Sequence, residues 1–208
     1  MPDIPADKEN KITQQIKYFK RWDAWLMVAI IAIGTGGLFA WISYISKLVT
    51  TVSGLPEANV SIIMVLIGGG MVVGNFLGGK LADTISPSKA TICSFSAMAI
   101  CLLILFFTAH ITALAYPMAF ITGMIAFTIG PPLQMMLINN AKGAETFAAA
   151  AGQASFNIGN SIGAYFGAVP IAMGFAYNYP SLIGVGMASI GAFLAFIFLL
   201  KVEKQKPE

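Results

Sequence analysis

The sequence predicts an all-α integral membrane protein with six transmembrane helices. Of its 208 residues, 57% are hydrophobic and 10% are charged, whereas about 25% are charged in an ordinary soluble domain. A helix needs about 20 apolar residues to cross a bilayer. Five long segments contain no Asp, Glu, Lys or Arg, and they comprise residues 24–46, 58–79, 90–109, 111–141 and 146–200.

The length of each charge-free segment gives the number of spans. The first three segments each fit one helix, and 111–141 fits one long or broken helix. The last segment is too long for one helix, and the turn signal Tyr177-Asn178-Tyr179-Pro180 divides it in two. A six-helix domain is therefore predicted over 23–200, between cytoplasmic segments 1–22 and 201–208, with spans at about 24–46, 59–79, 90–109, 111–138, 146–173 and 181–200.

The basic residues predict the orientation of the chain. If the spans alternate, Lys47 alone lies on one side and the other eleven of the 12 Lys and Arg residues lie on the opposite side. This positive-inside bias predicts that both termini are cytoplasmic. It also argues against a nucleic-acid partner, despite the net charge of +3. The eleven are Lys8, Lys11, Lys17, Lys20, Arg21, Lys80, Lys89, Lys142, Lys201, Lys204 and Lys206.

Small residues recur at every fourth position in the second and fifth spans. Residues four apart share a helix face, and small side chains let two helix backbones approach closely. Two such ridges in a small chain predict surfaces that meet another helix bundle. The ridges are Gly70, Gly74, Gly78 and Ala82, and Ala151, Ser155, Gly159, Gly163 and Gly167.

A polar stripe runs beside the ridge on the fifth span. Gln153, Asn157 and Asn160 lie within roughly 60° of one another around a helix. Amides that faced lipid would be left unpaired, so the stripe is expected to face the bundle interior or a watery cavity. The alternative is ordinary hydrogen bonding between helices. Asn75 and Gln134 are further cavity candidates of the same kind.

Two other features leave alternatives open. The segment Gly130-Pro131-Pro132 predicts a kink in the fourth span, which marks either a transporter site or an ordinary packing kink. Trp41 and Tyr44 share a face at the end of the first span. They form either an interfacial aromatic belt or one wall of a substrate cavity.

The segment between the second and third spans resembles the loop signature of the major facilitator superfamily. Gly79 matches its glycine, Asp83 its acid and Lys89 its closing base, whereas Thr84 replaces a base and Ser86 replaces a second glycine. Other segments resemble the bacterial sugar and drug efflux permeases of that superfamily, of the arabinose efflux type. The likeness covers about 22–200 and rests further on 39–44, 141–145, 152–159, 163–165 and 176–179.

The resemblance implies the C-terminal six-helix half of a twelve-helix carrier in the bacterial inner membrane. It further implies that the second and fifth helices meet the opposite half, so an N-terminal half or a second copy is the expected partner. Asp83 would lie at the cytoplasmic mouth as a gate residue, the alternative being a solvated loop acid.

The expected function is secondary-active efflux of a small sugar or amphipathic organic solute by alternating access. The polar stripe, Trp41, Tyr44 and Gln134 would line one wall of the cavity. No enzyme, metal or cofactor is expected, because the spans carry no ionisable catalytic group, and His110 falls in a predicted external turn. Any proton-coupling site is expected in the other half. The alternative to a transport function is that the chain is a non-transporting membrane fragment or a structural partner of other membrane proteins.

Overall fold

The computed structural model describes residue 18, residues 20–141 and residues 143–203. The predicted cytoplasmic residues Lys8, Lys11, Lys17, Lys142, Lys204 and Lys206 lie outside this part. All regular structure within it is helical. The seven long helices are α1 (Trp22–Ile42), α2 (Val60–Ile85), α3 (Pro87–Thr108), α4 (Thr112–Thr128), α5 (Gly130–Asn140), α6 (Glu145–Ala172) and α7 (Pro180–Phe198).

Short helical turns extend several of these helices. Ile45–Lys47 and Leu48–Val52 follow α1, Glu57–Asn59 precedes α2, and Leu199–Glu203 follows α7. Five helical segments in the described residues are long and apolar enough to cross a membrane, and they are Trp22–Val52, Glu57–Ile85, Pro87–Thr108, Thr112–Asn140 and Pro180–Val202.

Helix α6 is not among those five segments, although its 28 residues correspond to about 42 Å of helix, enough to cross a bilayer. Its glycines and the amides Gln153, Asn157 and Asn160 make it more polar than every other long helix except α5. The same side chains that suggest a function for this helix therefore lower its hydropathy.

The fourth predicted span is divided at Ile129. Helix α4 ends at Thr128 and α5 begins at Gly130. Pro131 and Pro132 carry no N–H group, so they cannot continue the hydrogen-bond ladder of α4. The two helices follow one another in the same apolar segment, and the break lies in its middle.

Helix α1 lies at the centre of the bundle and packs against α6 and α7, while α2 packs against α4 and α3 against α7. In the segment that contains α1, 67% of the most apolar 18-residue stretch is buried inside the bundle, whereas the corresponding share is 22% in the segment that contains α2. The core around α1 contains the large buried side chains Met27, Ile30, Phe95, Met98 and Leu102.

The glycine ridge of α2 packs against α4 of the same chain. A Cβ atom added at Gly74 would lie 1.9 Å from the carbonyl oxygen of Met124, and one at Gly70 would lie 2.1 Å from that of Phe120. Only residues without a side chain permit backbones to approach so closely.

The ridge of α6 packs in the same way against α1. A Cβ atom added at Gly163 would lie 2.1 Å from the carbonyl oxygen of Gly36, and one at Gly159 would lie 2.6 Å from that of Ala32. The expectation that the two ridges meet another bundle is therefore wrong, because both are buried inside this chain. The faces of α2 and α6 that remain exposed carry larger apolar side chains, namely Val65, Val72, Phe76, Ile158, Tyr165 and Phe166.

Candidate solute cleft

A cavity of about 240 Å³ lies where α1, α2, α4, α5 and α6 come together. Three amides on its wall, Asn75, Gln134 and Gln153, are exposed, so the cavity is an open cleft. The other lining residues are Ile31, Thr35, Leu38, Ala126, Phe127, Ile129, Gly130, Leu133, Leu137, Gly152 and Phe156.

The break in the fourth span and the small residues beside it create this space. The cleft wall includes Ile129 and Gly130, where α4 ends and α5 begins. Gly152 on the opposite wall leaves room for the Leu137 side chain, since an added Cβ atom would lie 2.5 Å from Leu137 Cδ2. The sequence features that break a helix or lack a side chain thus coincide with the cavity.

The polar groups of the cleft are neutral. Thr35 donates its hydroxyl to the carbonyl oxygen of Ile31 at 2.7 Å, so its proton is already used. Within the described part of the chain, Asn75, Gln134 and Gln153 have no recorded hydrogen bond. Each amide offers donors and acceptors, and none of the described residues that line the cleft is charged. The wall therefore suits an uncharged molecule that carries both polar groups and apolar surface.

Only one member of the predicted polar stripe reaches the cleft. Gln153 lines it, whereas Asn157 is exposed one turn farther along α6. Asn160 is half-buried, and its Oδ1 atom is buried without a partner among the described residues. Asn157 does not face the interior of this bundle, so its exposed amide requires water or another protein rather than lipid.

Trp41 does not line the cleft, contrary to its place among the cavity candidates. Its side chain is 1% exposed and lies in the core, beside a separate void of about 20 Å³ that Ser53 and Leu105 also line. It is therefore not a belt residue either. The spacing of Trp41 and Tyr44 shows that they share a helix face, but α1 is central and that face is covered by neighbouring helices.

Tyr44 likewise lies outside the cleft. Its hydroxyl donates a 2.7 Å hydrogen bond to the carbonyl oxygen of Ala164, and its ring packs beside Gly167. The half-buried side chain thus joins the end of α1 to α6. Tyr44 therefore packs two helices together and does not form part of the cavity wall.

The residues of the loop motif lie at the junction of α2 and α3. Asp83 is exposed in the last turn of α2, and Lys89 is exposed in the first turn of α3. Neither forms an ion pair with another described residue. An added Cβ atom at Gly79 would meet nothing within 4 Å.

Ser86 joins the two helices with a backbone conformation that favours glycine. Its φ is 110° and its ψ is 147°, a region that residues with a side chain rarely occupy. The hydroxyl of Ser86 accepts a hydrogen bond from the backbone N–H of Lys89 at 3.5 Å. The glycine that is usual at this motif position would relieve the backbone strain.

A second polar cluster, which the sequence reasoning missed, lies near the beginning of α1 and the end of α5. We call it the Asp23 cluster, and it consists of Tyr18, Arg21, Asp23 and Asn140. Asp23 is 4% exposed and pairs with the Arg21 guanidinium, whose Nε donates to Oδ1 at 3.0 Å. The sequence pattern that could have revealed this cluster is an acidic residue two positions after an arginine, directly before the first apolar segment.

The tyrosine of the Asp23 cluster lies between the Arg21–Asp23 pair and Asn140. The ring of Tyr18 lies 5.9 Å from the Arg21 guanidinium carbon, and its side chain is 5% exposed. Burial raises the pKa of Tyr18 above its ordinary value of 10.0, although the Asn140 side chain acts in the opposite direction. The hydroxyl is therefore neutral at physiological pH.

The fold and cleft define the class of a multi-pass helical membrane protein with an open cleft between its helices. The family model of the Major Facilitator Superfamily matches residues 3–167. The chain belongs to this family of membrane transporters.

Three relatives show the range of similarity. The chain is 34% identical over 206 residues to the "Putative transporter AraJ" of Escherichia coli (strain K12), covering 99% of this chain and 51% of that protein. It is 28% identical to the "Inner membrane transport protein YdhP" of Escherichia coli O157:H7, covering 95% of this chain and 50% of that protein. It is 24% identical to the "Probable sugar efflux transporter" of Helicobacter acinonychis (strain Sheeba), covering 93% of this chain and 49% of that protein.

These comparisons agree with the hydropathy of the helices in indicating a multi-pass protein of the inner membrane. The chain spans about half the length of the curated relatives it matches.

Proposed function

We propose that the chain is the C-terminal six-helix half of an efflux carrier that works by alternating access. Its solute is a small uncharged molecule, a sugar or an amphipathic organic compound. The observation that carries this proposal is the open cleft, where amides from three helices meet around the break in the fourth span. The printed names of relatives, which include a sugar efflux transporter, support the direction and the solute class.

Helix α6 is the proposed fifth of six spans. Its 28 residues are long enough for a crossing, and its ridge places it against the apolar α1. An even number of crossings puts both termini on one side. In the described part, Lys20, Lys80, Lys89 and Lys201 then share that side with Arg21, and Lys47 lies opposite. The positive-inside rule makes the first side cytoplasmic.

A second six-helix unit is the proposed partner, either an N-terminal half or a second copy. One half supplies a cleft that is open, and Asn157 on α6 is exposed at a depth where lipid cannot satisfy an amide. A partner across the cleft would enclose the solute and cover this amide. The lining residues that the structure describes include no ionisable group, so any proton-coupling site is proposed to lie in that partner.

Asp83 is proposed as a gate residue at the cytoplasmic mouth. It is exposed and has no ion-pair partner among the described residues, so its carboxylate is free to contact a helix N-terminus of the other half. Such a contact contributes about 0.3–1 kcal/mol. Asp83→Asn should therefore lower the flux of the assembled carrier about two- to fivefold, and an unchanged flux would remove this role.

Co-expression with an N-terminal half, followed by a flux assay in vesicles, tests the main proposal. The solutes should include neutral sugars and matched charged compounds such as sugar phosphates. We expect movement of a neutral solute only when both halves are present. Absence of flux with every solute, from a stable complex of the halves, would favour the non-transporting membrane protein instead.

Amide substitutions test whether the cleft is the solute path. Gln134→Ala and Gln153→Ala each remove a hydrogen-bonding group and should weaken solute binding about two- to tenfold. Asn139→Ala provides the matched control, because Asn139 is an exposed amide on α5 that does not line the cleft. Equal effects of all three substitutions on the apparent affinity would contradict the assignment.

A further inference from the structure

The two prolines at the break in the fourth span each free one backbone carbonyl. In an α-helix the carbonyl oxygen of one residue accepts a hydrogen bond from the N–H group four residues later. Pro131 and Pro132 carry no N–H group, so the carbonyls of Phe127 and Thr128 lose that donor. Inside a membrane each freed carbonyl needs a donor from the protein, from water or from a bound molecule.

The helical course of the chain continues across the break. Ile129 has helical backbone angles, with φ at −75° and ψ at −33°, and its carbonyl oxygen accepts from the Leu133 N–H at 3.2 Å. Helical spacing therefore places Pro131 on the same face as Phe127 and Gly130. Phe127 and Gly130 are exposed and line the cleft, so this shared face is the cleft face.

The bundle supplies a donor to one of the two carbonyls. The Ser94 hydroxyl on α3 donates to the Thr128 carbonyl oxygen at 3.4 Å. Gly78 on α2 packs against the same carbonyl, since an added Cβ atom there would lie 2.4 Å from the Thr128 oxygen. Thr128 does not line the cleft, and its carbonyl is satisfied within the bundle.

The Phe127 carbonyl lies on the cleft side. The ring of Pro131 displaces this carbonyl from its regular helical position, and Gly130 has no side chain to cover it. A Cβ atom added at Gly130 would meet nothing within 4 Å, so the space on this face is open. The Ile129 N–H contacts the Phe127 oxygen. Because a carbonyl oxygen has two lone pairs, it can accept from an outside donor as well.

We infer that the Phe127 carbonyl accepts a hydrogen bond from the solute, and that the cleft therefore selects neutral molecules with an O–H or N–H donor. The Gln134 amide, three residues beyond Pro131, also lines the cleft and can bind a second polar group of the same molecule. The exposed ring of Phe127 offers an apolar contact beside them. This inference rests on the proposed solute cleft and names the chemical group that the cleft recognises.

Substitution of each proline by alanine separates the two carbonyls. Pro131→Ala restores the N–H group that pairs with the Phe127 carbonyl, and so removes the acceptor from the cleft. Pro132→Ala is the matched control, because it restores a donor to the Thr128 carbonyl, which Ser94 already satisfies outside the cleft. Alanine favours a helix far more than proline does, so both variants should fold.

Two neutral aromatic amides that differ chiefly in their donors are the probes. Benzamide carries N–H donors, and N,N-dimethylbenzamide keeps the ring and the carbonyl without them. Their dissociation constants would be measured by saturation-transfer NMR with the full chain in lipid nanodiscs, and empty nanodiscs would correct for partition into lipid. We expect the parent to bind benzamide about two- to tenfold more tightly, the range that one hydrogen bond represents. Pro131→Ala should lose this preference, whereas Pro132→Ala should keep it.

Three results would overturn the inference. The first is equal binding of the two probes to the parent, or no binding of either. The second is a preference for benzamide that survives Pro131→Ala. The third is an equal weakening of both probes in Pro131→Ala, since that result indicates a distorted cleft and not the loss of one acceptor.

The binding measurement needs neither transport nor a second half. A failure of the acceptor assignment is therefore distinguishable from a failure of the proposed function, which the flux assay tests separately.

Discussion

Gly74→Ala should destabilise the bundle, because it places a methyl group between two helix backbones. The new Cβ atom would lie 1.9 Å from the Met124 carbonyl oxygen, whereas ordinary contact begins at 3.4 Å. Helices α2 and α4 must therefore separate locally by about 1.5 Å, and backbone atoms cannot rotate away as side chains do. Overpacking of this kind costs about 1–3 kcal/mol, and the gain of about 0.5–1 kcal/mol in helix propensity offsets only part of it.

Gly79→Ala on the same helix is the control, because an added Cβ atom there meets nothing within 4 Å. It should stabilise the chain by about 0.5–1 kcal/mol through helix propensity alone. For a chain of this length, about 1 kcal/mol corresponds to roughly 2–4 °C in the unfolding midpoint. Gly74→Ala should thus melt several degrees below the parent and Gly79→Ala slightly above it.

Buried Cys101 supplies the assay for both variants. In a Cys93→Ser background, a fluorogenic maleimide reports unfolding in detergent as Cys101, which is 4% exposed, becomes reactive. Coincident midpoints for Gly74→Ala and Gly79→Ala would refute the close packing of the α2 ridge against α4.

Two further substitutions test the backbone and the charges near helix ends. Ser86→Gly should stabilise the chain by about 1 kcal/mol, because it relieves a backbone conformation that costs a residue with a side chain about 1–3 kcal/mol. Ser88→Gly, in the regular helix next to it, is the control and should lower the midpoint of thermal unfolding. A lower unfolding midpoint for Ser86→Gly would contradict the backbone strain. The exposed Glu145, just before the predicted fifth span, accepts a 2.8 Å hydrogen bond from the Gly143 N–H, which holds its pKa below the ordinary value of 4.5. A depressed carboxyl pKa stabilises the folded state at pH values above the ordinary pKa, and this contribution is lost as the pH falls through the folded pKa. The difference in unfolding midpoint between the parent and Glu145→Gln should therefore disappear in acid. A difference that does not depend on pH would exclude this role.

The sequence predicted the amides of the cleft but not the direction in which each faces. Asn75, Gln134 and Gln153 come together because the helix break and the α1–α6 contact bring three helices to one place. Periodicity gives the angle between residues on one helix, as for Trp41 and Tyr44. It does not give the rotation of that helix against its neighbours, which explains why these two aromatic residues were misplaced.

The glycine ridges show the same limit. The repeat of small residues at Gly70, Gly74 and Gly78 predicted close helix contact, and the structure confirms it. Which helix makes the contact depends on how the chain returns on itself, and both ridges meet helices of this chain. The Asp23 cluster was missed because its members are separated by 117 residues from Asp23 to Asn140, and no local pattern links them.

By itself the sequence determined the membrane environment, the helical class and the family, because hydropathy and motif spacing are local properties that every fold of the chain must respect. The tertiary structure alone decided which amides share a cleft, which aromatic side chains are buried and which helices the glycine ridges contact. Those relations depend on the mutual rotation and contact of helices far apart in the chain, and the steric fit between their surfaces sets them.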